Sequence, residues 1–363
     1  MQATAGEDQA ALLAERMREA SSAGTALRIV GGDTRRWYGR RVDGAALEVA
    51  GHHGVVNYDP GELVLTARSG TRLAAVDALL RAHGQCLPFE PPQFGVASTI
   101  GGTIAAGLAG PARVARGPVR DYVLGARLLT GDGRVLRFGG EVMKNVAGYD
   151  VARLLAGSLG ILGVIMDVSL KVLPRHSTLT LQRACNATDA LDTLARAALS
   201  GVPITASCWC AELLSVRLEG SALALHEIVP ALGGSILADD AAESFWRSVR
   251  NQRHAFFANA STLWRINVPA RAPLDSSAGT AALLFEWNGS QRWYTNLDDA
   301  TAHALARAGG GFATRFRAPP SLQDGGLEVF APLPDAVMAL HRSLKRVFDP
   351  AGICNPGRMY AGL

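Results

Sequence analysis

A chain of 363 residues, 48% of them hydrophobic, is long enough to bury substantial cores and is expected to hold about two domains, which excludes a disordered segment. A formal net charge of only +4, with no block of lysine and arginine, excludes a dedicated nucleic-acid binder. Of five cysteines only Cys208 and Cys210 are close in sequence; two ligands cannot close a zinc or iron–sulfur site, so the thiols read as free, in a reducing compartment.

Residues 7–23 carry the pattern of an amphipathic helix, with Leu12, Leu13, Met17 and Ala20 on one side and Gly24 as a stop. The charges within it (Glu7, Asp8, Glu15, Arg16, Arg18 and Glu19) rule out a secretory signal. A strand over 27–30 runs into Gly31-Gly32-Asp33-Thr34; further strands are expected over 47–49 and 63–67, and a helix over 73–83 closed by Gly84. From Leu87 to Asp121 the chain is rich in glycine and proline, and a loop this long in a compact domain usually wraps a ligand. Its apolar Ile100, Ile104 and Leu108 argue against disorder. Residues 122–130 and 135–138 form a hairpin about Gly131-Asp132-Gly133, 149–156 a short helix, and 161–173 an apolar strand ending at Pro174. The longest apolar run, Leu154 to Met166, falls short of the ~18 residues of a membrane span. A cytoplasmic chain is expected, with peripheral membrane contact left open.

Beyond Pro174 glycine thins and strands alternate with amphipathic helices. Strands are expected at 178–183, 204–209, 213–219, 262–268, 281–287 and 312–316, and helices at 187–199, 221–232, 240–252 and 297–308. That is a second α+β domain with a largely antiparallel sheet. A helix over 334–347 leads to the tail 349–358, so the expected divisions are 1–175, 176–333 and 334–363.

Three runs carry chemistry. In Gly31-Gly32-Asp33-Thr34-Arg35, successive backbone amides of a tight glycine turn can converge on an anion, although an ordinary turn has the same composition. In Ser98-Thr99-Ile100-Gly101-Gly102-Thr103-Ile104-Ala105-Ala106, small side chains let amides and hydroxyls approach phosphate oxygens, with Arg113, Arg116 and Arg120 following to offset charge. A helix start packed closely on a sheet is the alternative. The third run joins Lys144-Asn145-Val146-Ala147-Gly148-Tyr149-Asp150 to the glycines Gly157, Gly160 and Gly163 ahead of a strand. Glycines before rather than after a strand are in the wrong order for a Rossmann site, and no phosphate-binding G-x-x-x-x-G-K-[S/T] occurs.

Together and in this order the runs are specific. With Arg28-Ile29-Val30, Asp59-Pro60-Gly61-Glu62-Leu63-Val64, Leu87-Pro88-Phe89-Glu90-Pro91-Pro92, Gly117-Pro118-Val119-Arg120-Asp121-Tyr122, Leu263-Trp264-Arg265 and Asn355-Pro356-Gly357, the sequence resembles the vanillyl-alcohol-oxidase family of PCMH-type FAD flavoproteins. Within that family it is more similar to the FAD-binding E subunits of bacterial glycolate oxidases. The resemblance is dense to Pro174 and sparse between 180 and 330. It implies an α+β fold: a two-part PCMH-type FAD-binding domain, an α+β cap domain, and a tail returning to the first domain. By the same resemblance Val30, Gly31, Gly32, Asp33, Thr34 and Arg35, with Ser98, Thr99, Gly101, Gly102, Thr103 and Ala106, hold the FAD diphosphate. Gly163, Val164 and Ile165 present backbone to the adenosine end, and Asp121 and Asn355 add contacts. Relatives that tether flavin through histidine carry it where Thr34 and Arg35 stand, so the FAD is expected to be non-covalent.

Catalytic hydroxy-acid members of the family carry a glutamate–histidine–glycine motif and a metal-binding histidine pair. None of the eight histidines here sits in such a motif, and His52-His53 reads as a polar surface loop. No proton acceptor is visible. The remaining candidates to anchor a substrate carboxylate are Arg265, on the strand face opposite Trp264, Ile266 and Val268, and Arg292. A solvated arginine on a sheet is the bland reading of both. The resemblance therefore implies an FAD subunit of a multi-subunit 2-hydroxy-acid (glycolate) dehydrogenase, beside a catalytic FAD subunit and an iron–sulfur subunit. The alternatives are a self-sufficient oxidase and an assembly subunit with a degenerate pocket.

Overall fold

The computed structural model describes residues 6–140, 150–258, 260–275, 281–319 and 328–363. The Lys144–Tyr149 part of the third run lies outside them. Packing divides the chain into two compact units: Met1–Leu108, Pro118–Pro174 and Gln323–Leu363 form the first, Ala109–Gly117 and Arg175–Leu322 the second. The segment 109–117 thus groups with the second unit, and the tail with the first.

In the first unit, β1 (Leu27–Val30) and β2 (Ala45–Glu48) form a parallel pair. A five-stranded antiparallel sheet gathers β3 (Val55–Asp59), β4 (Val64–Arg68), β6 (Val123–Leu129), β7 (Val135–Gly139) and β8 (Val164–Lys171) in the order β3-β4-β8-β6-β7; β5 (Gln85–Cys86) pairs with β9 (Leu173–Pro174). Val164–Leu170 is buried at every position, Asp167 and Ser169 included, which suits its central place as β8. Helix Ala10–Ala23 ends at Gly24 in the left-handed conformation (φ 63°). Its buried face (Leu13, Ala14, Met17 and Ala20) packs with Leu27, Leu47, Leu129, Met166 and Ile353 in one core. That core ties the first helix, both sheets and the C-terminal tail together. Leu12, expected on the same face, is 44% exposed.

The stretch from Leu87 to Asp121 is less irregular than its glycine content predicts, since Ile100–Ala106 is helical and Val119–Tyr122 forms a 3₁₀ turn. His52 also departs from expectation. It is fully buried, accepts the Gln9 amide on Nδ1 (3.1 Å), and sets Nε2 3.3 Å from Asp167 Oδ1. The Gln9 amide satisfies Nδ1, while Nε2 and Asp167 Oδ1 lie close without completing a hydrogen bond among the described residues.

The second unit is an eight-stranded antiparallel sheet with helices packed on it. Its strands are β10 (Thr178–Ala184), β11 (Ile204–Cys210), β12 (Leu213–Glu219), β13 (Ser235–Leu237), β14 (Leu263–Asn267), β15 (Leu283–Glu286), β16 (Gln291–Thr295) and β17 (Phe312–Arg317). They run in the order β13-β10-β12-β11-β15-β16-β14-β17. Helix Ala187–Leu199 covers Trp209, Leu214 and Phe285, and helix Asp299–Ala308 covers Trp264, Ile266 and Val268. The expected alternation along β14 is thereby met.

Candidate functional site

The first glycine run follows β1 directly, and neighbours rather than turn preference alone demand its glycines. A Cβ on Gly32 would fall 1.6 Å from the Ala97 carbonyl oxygen, and one on Gly31 2.6 Å from Thr99 Oγ1. The second run begins helix Ile100–Ala106. Thr99 caps it by accepting the Gly102 amide (3.3 Å), and Thr103 Oγ1 donates to the Thr99 carbonyl (2.8 Å). Gly101 packs against Ser69, where a Cβ would approach to 2.4 Å. Thr34 and Ser98 share a hydroxyl hydrogen bond of 3.0 Å, joining the two runs. Gly160 and Gly163, in the third run, hold positive φ angles of 73° and 137°.

The tail closes the arrangement. Asn355 Oδ1 accepts the Ile29 amide (2.8 Å), while Nδ2 donates to the Leu159 carbonyl (2.7 Å). The first and third runs are therefore held by one side chain. Asn355 is itself anchored by its neighbours: Lys345 Nζ bonds Asp349 Oδ2 (2.7 Å) and the Cys354 carbonyl (2.6 Å), and Asp349 accepts the Cys354 amide (2.7 Å).

All three runs line a single pocket of the first unit. Its wall is the segment 28–36 with Tyr38, Val49 and Ser69, then Thr99, Gly101, Gly102, Ala105 and Ala106, then Leu159, Gly160, Gly163, Val164 and Ile165, and from the tail Asn355 and Arg358. Every expected residue from Val30 to Arg35 is there, as are Thr99, Gly101, Gly102, Ala106, Gly163, Val164, Ile165 and Asn355. Ser98 and Thr103 stand behind the wall, bonded to Thr34 and Arg35. Asp121 is exposed on the 3₁₀ turn and does not line the pocket. Arg113, Arg116 and Arg120 do not line it either; in the second unit Arg113 stacks on Trp287 and Arg116 pairs with Glu219.

The charge comes instead from Arg28, Arg35, Arg36 and Arg358, against the single carboxylate Asp33. Arg28 and Arg36 approach Asp33 to 3.2 and 3.9 Å. Burial lowers the Arg35 guanidinium to about 10, and Arg358 likewise to about 10, so both stay protonated at neutral pH. Arg35 donates to the Pro92 carbonyl (2.7 Å) and Thr103 Oγ1 (3.2 Å), yet its buried Nε finds no acceptor among the described residues. The buried Ser69 hydroxyl on the same wall has no partner either. Two orphaned donors, a positive surplus and a cradle without side chains fit an anionic, phosphate-bearing group. Arg28, Arg36, Tyr38, Val49, Ser69, Leu159 and Arg358 line the wall without having been expected as cofactor residues, whereas Gly160 belongs to the third glycine run. Arg358 had a signal, following Asn355-Pro356-Gly357 directly.

The arginine candidates of the second unit differ from one another. Arg265 is partly exposed with its guanidinium 5.1 Å from the Phe316 ring centroid. Arg292 is 4% exposed and spends its donors on the carbonyls of Ala272, Pro273 (2.8 Å) and Gly289 (3.2 Å). It secures backbone, and its fork is engaged.

Comparison with known proteins places the chain in a family. A profile of FAD binding domains matches residues 6–139, and one of the C-terminal domain of FAD linked oxidases matches 333–359. The chain is 45% identical to glycolate oxidase subunit GlcE of Escherichia coli (strain K12), over 98% of this chain and 99% of that protein. It is 32% identical to glycolate oxidase subunit GlcD of Bacillus subtilis (strain 168), over 34% of this chain and 26% of that protein. Among solved structures, an alkyldihydroxyacetonephosphate synthase superposes with a TM-score of 0.67 at 15% identity, covering 95% of this chain and 74% of the other. That likeness shows the fold: a PCMH-type FAD-binding domain with an FAD-oxidase C-terminal part.

Proposed function

Because the chain belongs to the family of FAD-binding glycolate oxidase subunits represented by GlcE, we propose that it holds FAD non-covalently in the pocket of its first unit and serves a 2-hydroxy-acid dehydrogenase that oxidises glycolate to glyoxylate. It is an FAD-linked oxidoreductase subunit, and it works in a complex with a flavin subunit of the GlcD type. The convergence of three separated small-residue runs on one positively charged pocket carries the cofactor assignment.

In this proposal the amides of Gly31–Arg35 and of the start of helix Ile100–Ala106 take the diphosphate, helped by the hydroxyls of Thr34, Thr99 and Ser69 and by Arg35. Gly163, Val164 and Ile165 offer backbone to the adenosine end. Ser98 and Thr103 act from behind by fixing Thr34 and Arg35. Asp121 is left without a part. FAD, when bound, would supply the two-electron (hydride) acceptor of an alcohol oxidation, chemistry that side chains do not provide. Arg265 is the candidate carboxylate anchor of the second unit.

Electrons must then leave. The five cysteines are free and scattered, which supports an iron–sulfur subunit elsewhere in the assembly as the exit. Among the described residues no helix is long and apolar enough to cross a membrane. Independently of that, the proposed setting is the cytoplasm, with peripheral membrane contact through the complex left open.

The test is to purify the chain alone and together with its flavin and iron–sulfur partners, record the visible flavin spectrum of each, and add glycolate. A yellow chain whose flavin bleaches only in the complex supports the proposal. A colourless chain that stays colourless in an active complex refutes the cofactor assignment.

A further inference from the structure

Arg358 has an arrangement that the glycine runs do not explain. It lies in the tail, lines the pocket, and directs Nη2 at three carbonyls of one loop: Arg35 (3.0 Å), Arg36 (3.3 Å) and Tyr38 (2.9 Å). Its own carbonyl accepts the Arg40 amide (2.8 Å), so residues 35–40 wrap around it. The close approach depends on Gly39, whose φ is 91° and whose Cβ would lie 2.9 Å from the Arg358 carbonyl oxygen.

A guanidinium carries five N–H donors in a rigid fork. Those of Nη2 are spent on the loop; those of Nε and Nη1 have no hydrogen-bond partner among the described residues. No carboxylate of the described residues pairs with the cation; Asp33 acts on it only from a distance. The side chain therefore stands as a charge on a pocket wall, locked in orientation by the loop that carries the first glycine run. A peptide carbonyl and the following amide point in opposite directions. Fixing the Arg35 and Arg36 carbonyls toward the tail thus also fixes which way the next amides face.

We propose that Arg358 is a positioning residue of the cofactor site: it holds the loop Arg35–Tyr38 by its carbonyls and turns its remaining donors to the diphosphate, making the C-terminal tail part of the FAD pocket. This inference rests on the assignment of FAD to that pocket. It gives the tail a role beyond packing, because the group that offsets the Arg358 charge is the ligand itself. FAD binding and the order of residues 355–358 are then coupled, each favouring the other.

The experiment measures FAD affinity, by quenching of flavin fluorescence, and the thermal midpoint of the FAD-free chain, for the full-length wild type, Arg358→Met, Arg358→Lys and Gly102→Val. The expected result is an FAD affinity about 10- to 100-fold weaker in Arg358→Met, the worth of one or two charge-assisted hydrogen bonds. Arg358→Lys keeps the charge but not the fork, and should remain about 10-fold weaker than wild type. Wild-type affinity in a folded Arg358→Met chain, or a lowered thermal midpoint without a change in affinity, overturns the inference and leaves the FAD assignment standing. If Arg358→Met does not fold, the lysine variant decides: wild-type affinity there overturns the inference. No FAD binding by the wild type, or wild-type binding by Gly102→Val, overturns the pocket assignment instead.

Discussion

The side-chain oxygen of Asn355 accepts the Ile29 amide at 2.8 Å, joining residues 326 positions apart. The same carboxamide reaches the Leu159 carbonyl, so one residue of the tail sets the spacing between two walls of the pocket. Asn355 is itself buried and held at a φ of 42°, a conformation asparagine tolerates better than most residues.

Replacing Asn355 by alanine strands a buried donor and a buried acceptor and strains the backbone. Each stranded group costs about 1–3 kcal/mol, so a total loss of about 2–6 kcal/mol is expected in urea unfolding. Asn355→Asp keeps the acceptor and should fall between the two. Equal stability of wild type and Asn355→Ala would remove the tie from the account.

Two glycines of the pocket should respond in opposite ways. Gly32 has the Ala97 carbonyl oxygen where its Cβ would be, so Gly32→Ala should fail to fold or unfold at markedly lower denaturant. A Cβ on Gly102 meets no backbone, and its one tight neighbour is the Thr99 side-chain hydroxyl at 3.3 Å, which can give by a few tenths of an ångström. A valine there should leave the chain folded by circular dichroism while its added methyl groups crowd the cradle and release flavin. A flavin content unchanged in Gly102→Val would be the contrary result.

Asp167 gives a pH signature. Burial pushes its carboxyl up, but the His52 ring 3.3 Å from Oδ1 and the Arg127 guanidinium bonded to Oδ2 outweigh that and hold it below the ordinary range. A carboxylate depressed in the folded state contributes stability that is complete above its unfolded pKa of about 3.9 and is lost as pH falls through the lower folded value. The thermal midpoint of wild type should therefore exceed that of Asp167→Asn by a constant margin at pH 5–7, and the margin should shrink below about pH 4. A margin that stays level into acid would contradict the assignment.

What the sequence disclosed and what it hid divide along physical lines. Helix Ala10–Ala23, the hairpin at Gly131-Asp132-Gly133 and the buried β8 announce themselves by periodicity, by turn residues and by a largely apolar run. Strand β16 does not: Gln291-Arg292-Trp293-Tyr294-Thr295 is polar at its start, and its burial depends on partners such as Glu286, the acceptor for both Gln291 and Trp293. Helix Ile100–Ala106, weighed only as the alternative to an anion cradle, was obscured by Gly101 and Gly102, both poor helix formers; at Gly101, Ser69 leaves no room for a side chain. His52 could not be seen as buried, since its partner Asp167 lies 115 positions away and only the sheet brings them together. The glycine runs were legible because backbone approach to an anion needs a local composition. Arg28, Ser69 and Arg358 were not, because a lone arginine or serine acquires its place from the fold.

An experimental structure of this chain with FAD would show where the diphosphate sits. The account predicts diphosphate oxygens within hydrogen-bonding distance of the main chain of Gly31–Arg35 and of the first turn of helix Ile100–Ala106, with Arg35 Nε and Ser69 Oγ engaged. FAD bound elsewhere, or those two donors still without an acceptor beside a bound diphosphate, would contradict it.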